Sequence, residues 1–415
     1  MKCKISLIAA ALSLCLSAGM EAQTAVPNLQ ELLQRNSYRI DQDGQLGGAG
    51  LRFLLREART AQFVVLGEPH NVKQVPEFTT ALFKALHAEA GFNYLALEQG
   101  PYIMEQTSRE GRRSGRQGVL EVAARFPDSL HFHTDQELHM IADVSAIPGT
   151  RMPRVWGVDR TLSSVLPLQQ LAAVSNQDLA AKLTGLAEEA QAFNLSHILE
   201  RKRLMGTQYQ RFEALPEGGD GQGEAVRHGL EWLARSARNF RLFAEHSREN
   251  PSGYFSNLER EEMMKEAFLR NYRQAMAGGD SLPRVVFKSG HWHSRKGLGW
   301  SNVYTLGNLA AELARSNGLD SLHIDISVIN RPGQHWSITD YEEYAPIAAV
   351  ASPERWTLID LRPLRPYLHS GLFEIAPKLE EKVFAFDFAL LLGGTEKGSN
   401  DWAEPLIRAA QSKEP

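Results

Sequence analysis

The apolar positions of this chain fall into short blocks, and several of those blocks are closed by an ionisable residue. Phe63-Val64-Val65-Leu66 is uninterrupted, as in a strand buried on both faces, yet it runs through Gly67 straight into Glu68-Pro69-His70. Ions are costly to bury, so a glutamate and a histidine two residues apart at the end of such a strand call for a reason. An amphipathic helix is predicted around Phe78 to Glu89, stopped by Gly91, and a second strand over Tyr94 to Leu97 closes on Glu98. Strand, helix and strand at this spacing make a βαβ unit, so the sheet is largely parallel.

The pattern returns downstream. Arg154 to Val158 closes on Asp159, Arg284 to Gly290 closes on His291, and Leu322-His323-Ile324 runs into Asp325. Between Asn176 and Gln274, Leu, Ala, Glu and Arg recur at helical spacing, broken by Glu217-Gly218-Gly219-Asp220-Gly221-Gln222-Gly223, which reads as a helical insertion. After Asn330 a proline-spaced loop leads to a strand over Trp356 to Leu361. The apolar run Val383 to Leu392 then either completes the sheet or forms a small α+β tail. Before residue 60 the pattern is mixed and polar, a helix with loops. The expected fold is α/β, a mostly parallel central sheet flanked by helices. Its core spans 23–175 and 276–330, with the helical insertion over 176–275 and a C-terminal α+β extension over 331–415. A length of 415 residues, more than one core usually takes, agrees with a principal domain carrying appendages.

The N-terminus changes the compartment. Met1-Lys2-Cys3-Lys4, the apolar segment Ile5 to Leu16 and the small residues Ser17, Ala18 and Gly19 make a secretory signal peptide over 1–22, too short for a spanning helix. The mature chain is thus expected to be periplasmic or secreted, without a membrane span. A lipoprotein anchored through Cys15 is a minor alternative, since Leu14 stands where a small residue is expected. Both cysteines, Cys3 and Cys15, lie in this segment, so the mature chain has no disulfide, thiol nucleophile or thiolate metal site. Loss of Lys2, Lys4 and Glu21 takes the formal charge from -4 to -5. That mild acidity does not favour nucleic-acid binding, which wants a basic face.

In open parallel sheets, ligands bind where the loops diverge at the carboxyl ends of the strands. Glu68, His70, Glu98, Asp159 and His291 all fall at or just past such ends, so four strands deliver carboxylates and imidazoles to one edge of the sheet. A single acid closing a strand is ordinarily a helix cap or a solvated loop residue, a reading that covers Asp325 fully and Asp159 taken alone. It covers Glu68 with His70 less well, because two ionisable groups leave one apolar strand together and Glu98 leaves its neighbour.

These residues also carry a family resemblance. Gly67-Glu68-Pro69-His70, the helix after it, and Gly91-Phe92 with the strand closing on Glu98 resemble the opening of the erythromycin esterase family. Gly157-Val158-Asp159, Arg260-Glu261-Glu262-Met263, Val285 to His293, Asp360-Leu361-Arg362 and Phe386-Asp387 resemble its later landmarks in the same order, over roughly residues 50 to 395. Two departures stand out. Pro69 alone separates Glu68 from His70, with Asn71 where the family has Gly, and one residue separates His291 from His293 where the family has two. The resemblance implies metal-independent hydrolysis of a small-molecule ester or lactone. His70 would be the general base, Glu68 and Glu98 would orient it and the water, and His291 would bind substrate or stabilise the oxyanion. Asp159, Arg260, Glu261 and His293 would sit around the substrate, Arg260 stabilising charge, gripping an anionic part of the substrate, or pairing with Glu261 on a helix surface. Tyr102, Trp156, Trp292 and Trp300 fall near the strand ends, and Tyr102 and Trp292 are the candidate pocket liners.

Other chemistries are open to the same residues. No Gly-x-Ser-x-Gly elbow occurs, which sets a serine nucleophile aside. Glu68, His70, Glu98 and His291 offer nitrogen and oxygen ligands that would suit zinc or manganese. A haem- or iron-binding exported protein is the third reading, with His131, His133 and His139 as its material; a polar loop leading into a helix near Glu137 accounts for that trio better.

Overall fold

The computed structural model describes residues 27–42, 46–215, 223–247, 249–299, 301–329 and 337–411. The proposed signal peptide with both cysteines, Trp300, the glycine-rich break at 217–222 and the start of the proline-spaced loop lie outside the described residues. One sheet organises the rest. Its strands are β1 (Ser37–Ile40), β2 (Ala61–Glu68), β3 (Tyr94–Leu97), β4 (Val155–Gly157), β5 (Val285–Gly290), β6 (Asp320–Val328), β7 (Trp356–Asp360) and β8 (Phe388–Leu392). They lie in the order β1-β7-β8-β6-β2-β5-β3-β4. All neighbours are parallel except β7, which runs antiparallel to both β1 and β8. The C-terminal strands thus complete the sheet, the first of the two outcomes the sequence left open, and β1 is an edge strand that its polar sequence did not announce.

Every residue of β2 is buried, because helices cover both faces of the sheet. On one face pack Val64, Leu66, Phe78, Leu82, Phe83 and Leu95; on the other, Phe63, Val65, Phe268, Phe287 and Met264. Phe63 meets Phe268 and Phe287 edge-on, at centroid separations of 5.7 and 5.6 Å. The helix Gln74–Ala90 joins β2 to β3 and ends at Gly91, whose φ of 70° is the left-handed stop that glycine adopts without strain. In the insertion region the helices Gln177–Ser196, Glu224–Ala244 and Ser252–Ala277 supply most of the cover. Among the described residues, no helix is long and apolar enough to cross a membrane.

The register positions the chemistry. Glu68 stands level with Gly290, Gly67 with Asp325, and Leu97 with both Lys288 and Gly157. Glu98 and Asp159, one and two residues beyond those levels, therefore emerge beside Glu68 at the same carboxyl edge. Chain direction also switches here: after β2 the chain crosses to β3, and β5 later fills the slot between them while β6 takes the other side of β2. Such switch points open a crevice at the strand ends.

Candidate active site

Glu68 is the last residue of β2 and is buried. Its Oε1 lies 3.1 Å from His70 Nδ1 and accepts from Lys288 Nζ at 2.7 Å. Lys288, buried in β5, donates also to Glu137 Oε1 at 2.6 Å. Burial pushes the Glu68 carboxyl up, but the Lys288 charge and the His70 hydrogen bond outweigh it, and Glu68 stays below the usual carboxylate range. Glu137 moves the other way: burial and the nearby Glu68 charge prevail over Lys288 and push it up.

His70 is held on three sides. Pro69 fixes the backbone ahead of it, and Asn71 behind it takes φ 63°, the left-handed conformation that a glycine would adopt at the position where the resembled family has one. Phe132 stacks on the imidazole at a centroid distance of 3.9 Å, and His131 stacks on Phe132 at 4.3 Å. The side-chain amide of Gln99 clamps that segment, donating to the Phe132 carbonyl and accepting from the His131 N–H, both at 2.7 Å. Burial lowers the His70 pKa, but the Glu68 hydrogen bond and the Glu98 and Glu68 charges more than restore it, so the imidazole titrates above its ordinary 6.5.

Glu98 faces His70 from the neighbouring strand, its Oε2 3.9 Å from Nε2. Oε2 accepts from the Gly290 N–H at 2.7 Å, and Oε1 from Arg260 Nη2 at 2.7 Å. Arg260 also grips both oxygens of Asp159, at 2.9 and 2.6 Å. Burial raises both carboxyls; for Glu98 the charges of His293, Arg260 and His70 reverse it, and for Asp159 chiefly Arg260, leaving both well below their ordinary range. A side chain at Gly290 would crowd His70, since a Cβ there would lie 3.0 Å from His70 Nε2, close enough that the imidazole would have to give way by a few tenths of an ångström. Gly290→Ala is expected to displace His70 and reduce turnover while the fold persists. Steady-state kinetics alongside circular dichroism checks this, and unchanged kinetics would refute the close approach.

The two downstream histidines part company. His293 enters the cluster, with Nδ1 2.6 Å from Glu261 Oε1 and Nε2 3.6 Å from Glu98 Oε1, and Glu261 Oε2 accepts from the Leu306 N–H. Burial depresses the His293 pKa, but Glu261 and Glu98 carry it above 6.5. His291 instead pairs with Asp325, Nδ1 to Oδ1 at 3.1 Å, while Lys382 and Ser327 hold the other oxygen. Reading Asp325 as a cap was therefore wrong. β6 continues past it to Val328, and the carboxylate is buried against His291 and Lys382.

Trp292, 47% exposed, lines with His291, Arg295, Tyr341, Tyr344 and Lys382 a cavity of about 300 Å³. Tyr102 lies elsewhere, in a cavity of about 260 Å³ with Glu105, Trp156 and Arg270 beside β4. Trp156 is core. His131 and His133 precede the helix Asp135–Ser145, capped by Thr134, and His139 lies within it. Among the described residues, the group with metal-ligand spacing is Glu98, His131 and Asp159, whose ligand atoms lie within 4.8 Å of one another, rather than the set Glu68, His70, Glu98 and His291. The Arg260 guanidinium already bridges its two carboxylates. Gln99, Phe132, Glu137 and Lys288 were missed from sequence, although a lysine inside an apolar strand was a signal in plain view.

By sequence, the chain matches no protein-family model and no curated protein. By structure it has clear neighbours. A Bacillus cereus protein of solved structure matches with a TM-score of 0.56 at 16% identity, covering 89% of this chain and 98% of that one. A succinoglycan biosynthesis protein matches with a TM-score of 0.56 at 15% identity, covering 91% and 99%. A histidine-to-asparagine variant of the erythromycin esterase EreC, in its open conformation, matches with a TM-score of 0.55 at 16% identity, covering 87% and 98%. In fold, the chain is similar to erythromycin esterase. The architecture expected from the sequence resemblance is thus observed, and it is one that a known hydrolase uses.

Proposed function

We propose that the chain is an exported hydrolase that cleaves an ester or lactone with water activated by His70. The observation that carries this is the imidazole between two buried carboxylates of separate strands, each held ionised by its own buried cation: Glu68 by Lys288 and Glu98 by Arg260. Glu68 fixes the tautomer with the proton on Nδ1, leaving Nε2 to take a proton from a water shared with Glu98. The hydroxide attacks the carbonyl carbon, and the imidazolium, paired with Glu68, then returns the proton to the departing alkoxide. His291, oriented by Asp325, is the candidate to stabilise the oxyanion, and the aromatic cavity beside it would take one arm of the substrate.

Metal chemistry is the rival for the same acids. The arrangement favours the metal-independent reading because Arg260 lies where a cation between Glu98 and Asp159 would sit, and those carboxylate oxygens already receive protein donors. The test is hydrolysis of a panel of simple esters and lactones after exhaustive chelation, with His70→Ala in parallel. Activity that survives chelation and disappears in the variant is expected; activity restored only by zinc or manganese would overturn the proposal.

A further inference from the structure

Several buried or half-buried arginines of this chain are neutralised by carboxylates, Arg260 by Glu98 and Asp159, Arg235 by Glu259 and Glu266, Arg362 by Asp360 and Glu57, while the fully buried Arg154 is satisfied by the main-chain carbonyls of Asn93, Ile147 and Pro148. Arg160 differs. It follows Asp159 directly, and its main-chain N–H donates to Asp159 Oδ1 at 2.8 Å. Its guanidinium, however, meets no carboxylate at ion-pair distance among the described residues. It lies 4.3 Å over the Phe240 ring and donates to the neutral amide of Asn239, and its Nε is buried without an acceptor. Burial and the Arg260 charge bring its pKa down to about 10, with Asp159 and Glu98 opposing, so it shares the electrostatic space of the cluster.

Arg203, on the insertion side, is alike. It donates to the main-chain carbonyls of Asp128 and Arg201, at 2.6 and 3.5 Å, and forms no ion pair among the described residues. Of the acids on this side, Arg260 holds Glu98 and Asp159, and the Asp128 carboxylate accepts from the Asn194 amide. A buried cation without a counter-ion is costly, and one kept beside a candidate active site points to a partner that arrives with the substrate. A guanidinium lying over an aromatic ring is suited to grip a carboxylate or phosphate by charge-assisted hydrogen bonding.

We propose that Arg160 binds an anionic group of the substrate, so that the ester cleaved here carries a carboxylate or phosphate away from the scissile bond. This rests on the hydrolase reading only for the word substrate; the anion site itself can be tested without turnover. Calorimetric titration with monomethyl adipate and methyl phosphate, against neutral dimethyl adipate, should show Arg160-dependent binding of at least one anion. Arg160→Gln should weaken that binding about tenfold, the effect of losing one charge-assisted hydrogen bond, and Arg160→Lys should recover part of it. Added salt should weaken it in the wild type. Whichever anion depends on Arg160 names the group, and binding of neither, or binding unchanged in Arg160→Gln, overturns the proposal. If Arg160→Gln fails to fold, Arg160→Lys carries the test through the same titration. Turnover then separates the two readings. The p-nitrophenyl monoester of adipic acid should be preferred over its neutral methyl diester, with the preference abolished in Arg160→Gln. Arg160-dependent binding with neither ester cleaved would leave the anion site standing and the hydrolase reading fallen. Cleavage of both through His70 with equal KM would do the reverse.

Discussion

His70→Ala is expected to reduce kcat/KM for ester hydrolysis by about 10²- to 10⁴-fold, the usual contribution of a positioned general base. The pH profile makes the result specific. A base must be unprotonated, and the His70 pKa lies above 6.5 because Glu68 and Glu98 together outweigh its burial. Activity should therefore climb with pH through a midpoint above 6.5, and this limb should vanish in the variant. A wild-type midpoint below 6.5 would mean that the carboxylates do not govern the imidazole, and the proposed mechanism would fail. Stability runs the opposite way. A histidine whose folded pKa is raised stabilises the fold fully below its unfolded pKa, and that contribution is lost as pH rises through the folded pKa. His70 and His293 both behave so, whereas Glu68, Glu98 and Asp159, with depressed pKa values, stabilise above their unfolded values and lose this as pH falls. The site is thus most strongly held together at mildly acidic pH and most active above it.

That opposition shows what was legible in the sequence. Burial makes an apolar strand, and an acid at its end has to lie at the sheet edge, so Glu68, His70, Glu98 and Asp159 could be placed together without coordinates. Their neutralising partners could not. Arg260 lies 101 residues beyond Asp159 on a helix, and Glu137 lies 151 residues before the Lys288 that it meets. Helical spacing alone gave Arg260 an equally good surface partner in Glu261, which in the structure turns instead to His293 and the Leu306 N–H. The strand ending at Asp325 was read too short because a charged residue was taken as the end of burial. Here the charge continues the strand because Lys382 and His291 are there to meet it. Short polar β1 carries no period at all; its place is set by pairing with β7.

Lys288→Met is expected to be the most destabilising single change at the site. Lys288 is buried between Glu68 and Glu137, with all three side chains nearly inaccessible. Removing it leaves two carboxylates facing each other in a medium of low dielectric, a loss of about 3–5 kcal/mol when a buried ion pair is broken from one side. The two acids would then share a proton, and Glu137 would take it more readily, since its pKa is already raised. Two consequences follow from that proton. Denaturant midpoints of Lys288→Met should recover partly as pH is lowered from 8 to 6. The double variant Lys288→Met with Glu137→Leu, which replaces one acid and the cation by apolar groups of similar size, should regain most of the loss. The kinetics should register the same change: with the shared proton mostly on Glu137, Glu68 stays ionised, and His70, freed of the Lys288 charge that lowers its pKa, should move its activity midpoint to higher pH. A single variant as stable as the wild type at pH 8 would show that Lys288 does not carry the charge balance of the site, and Glu68 would then need another reason to stay ionised beneath His70.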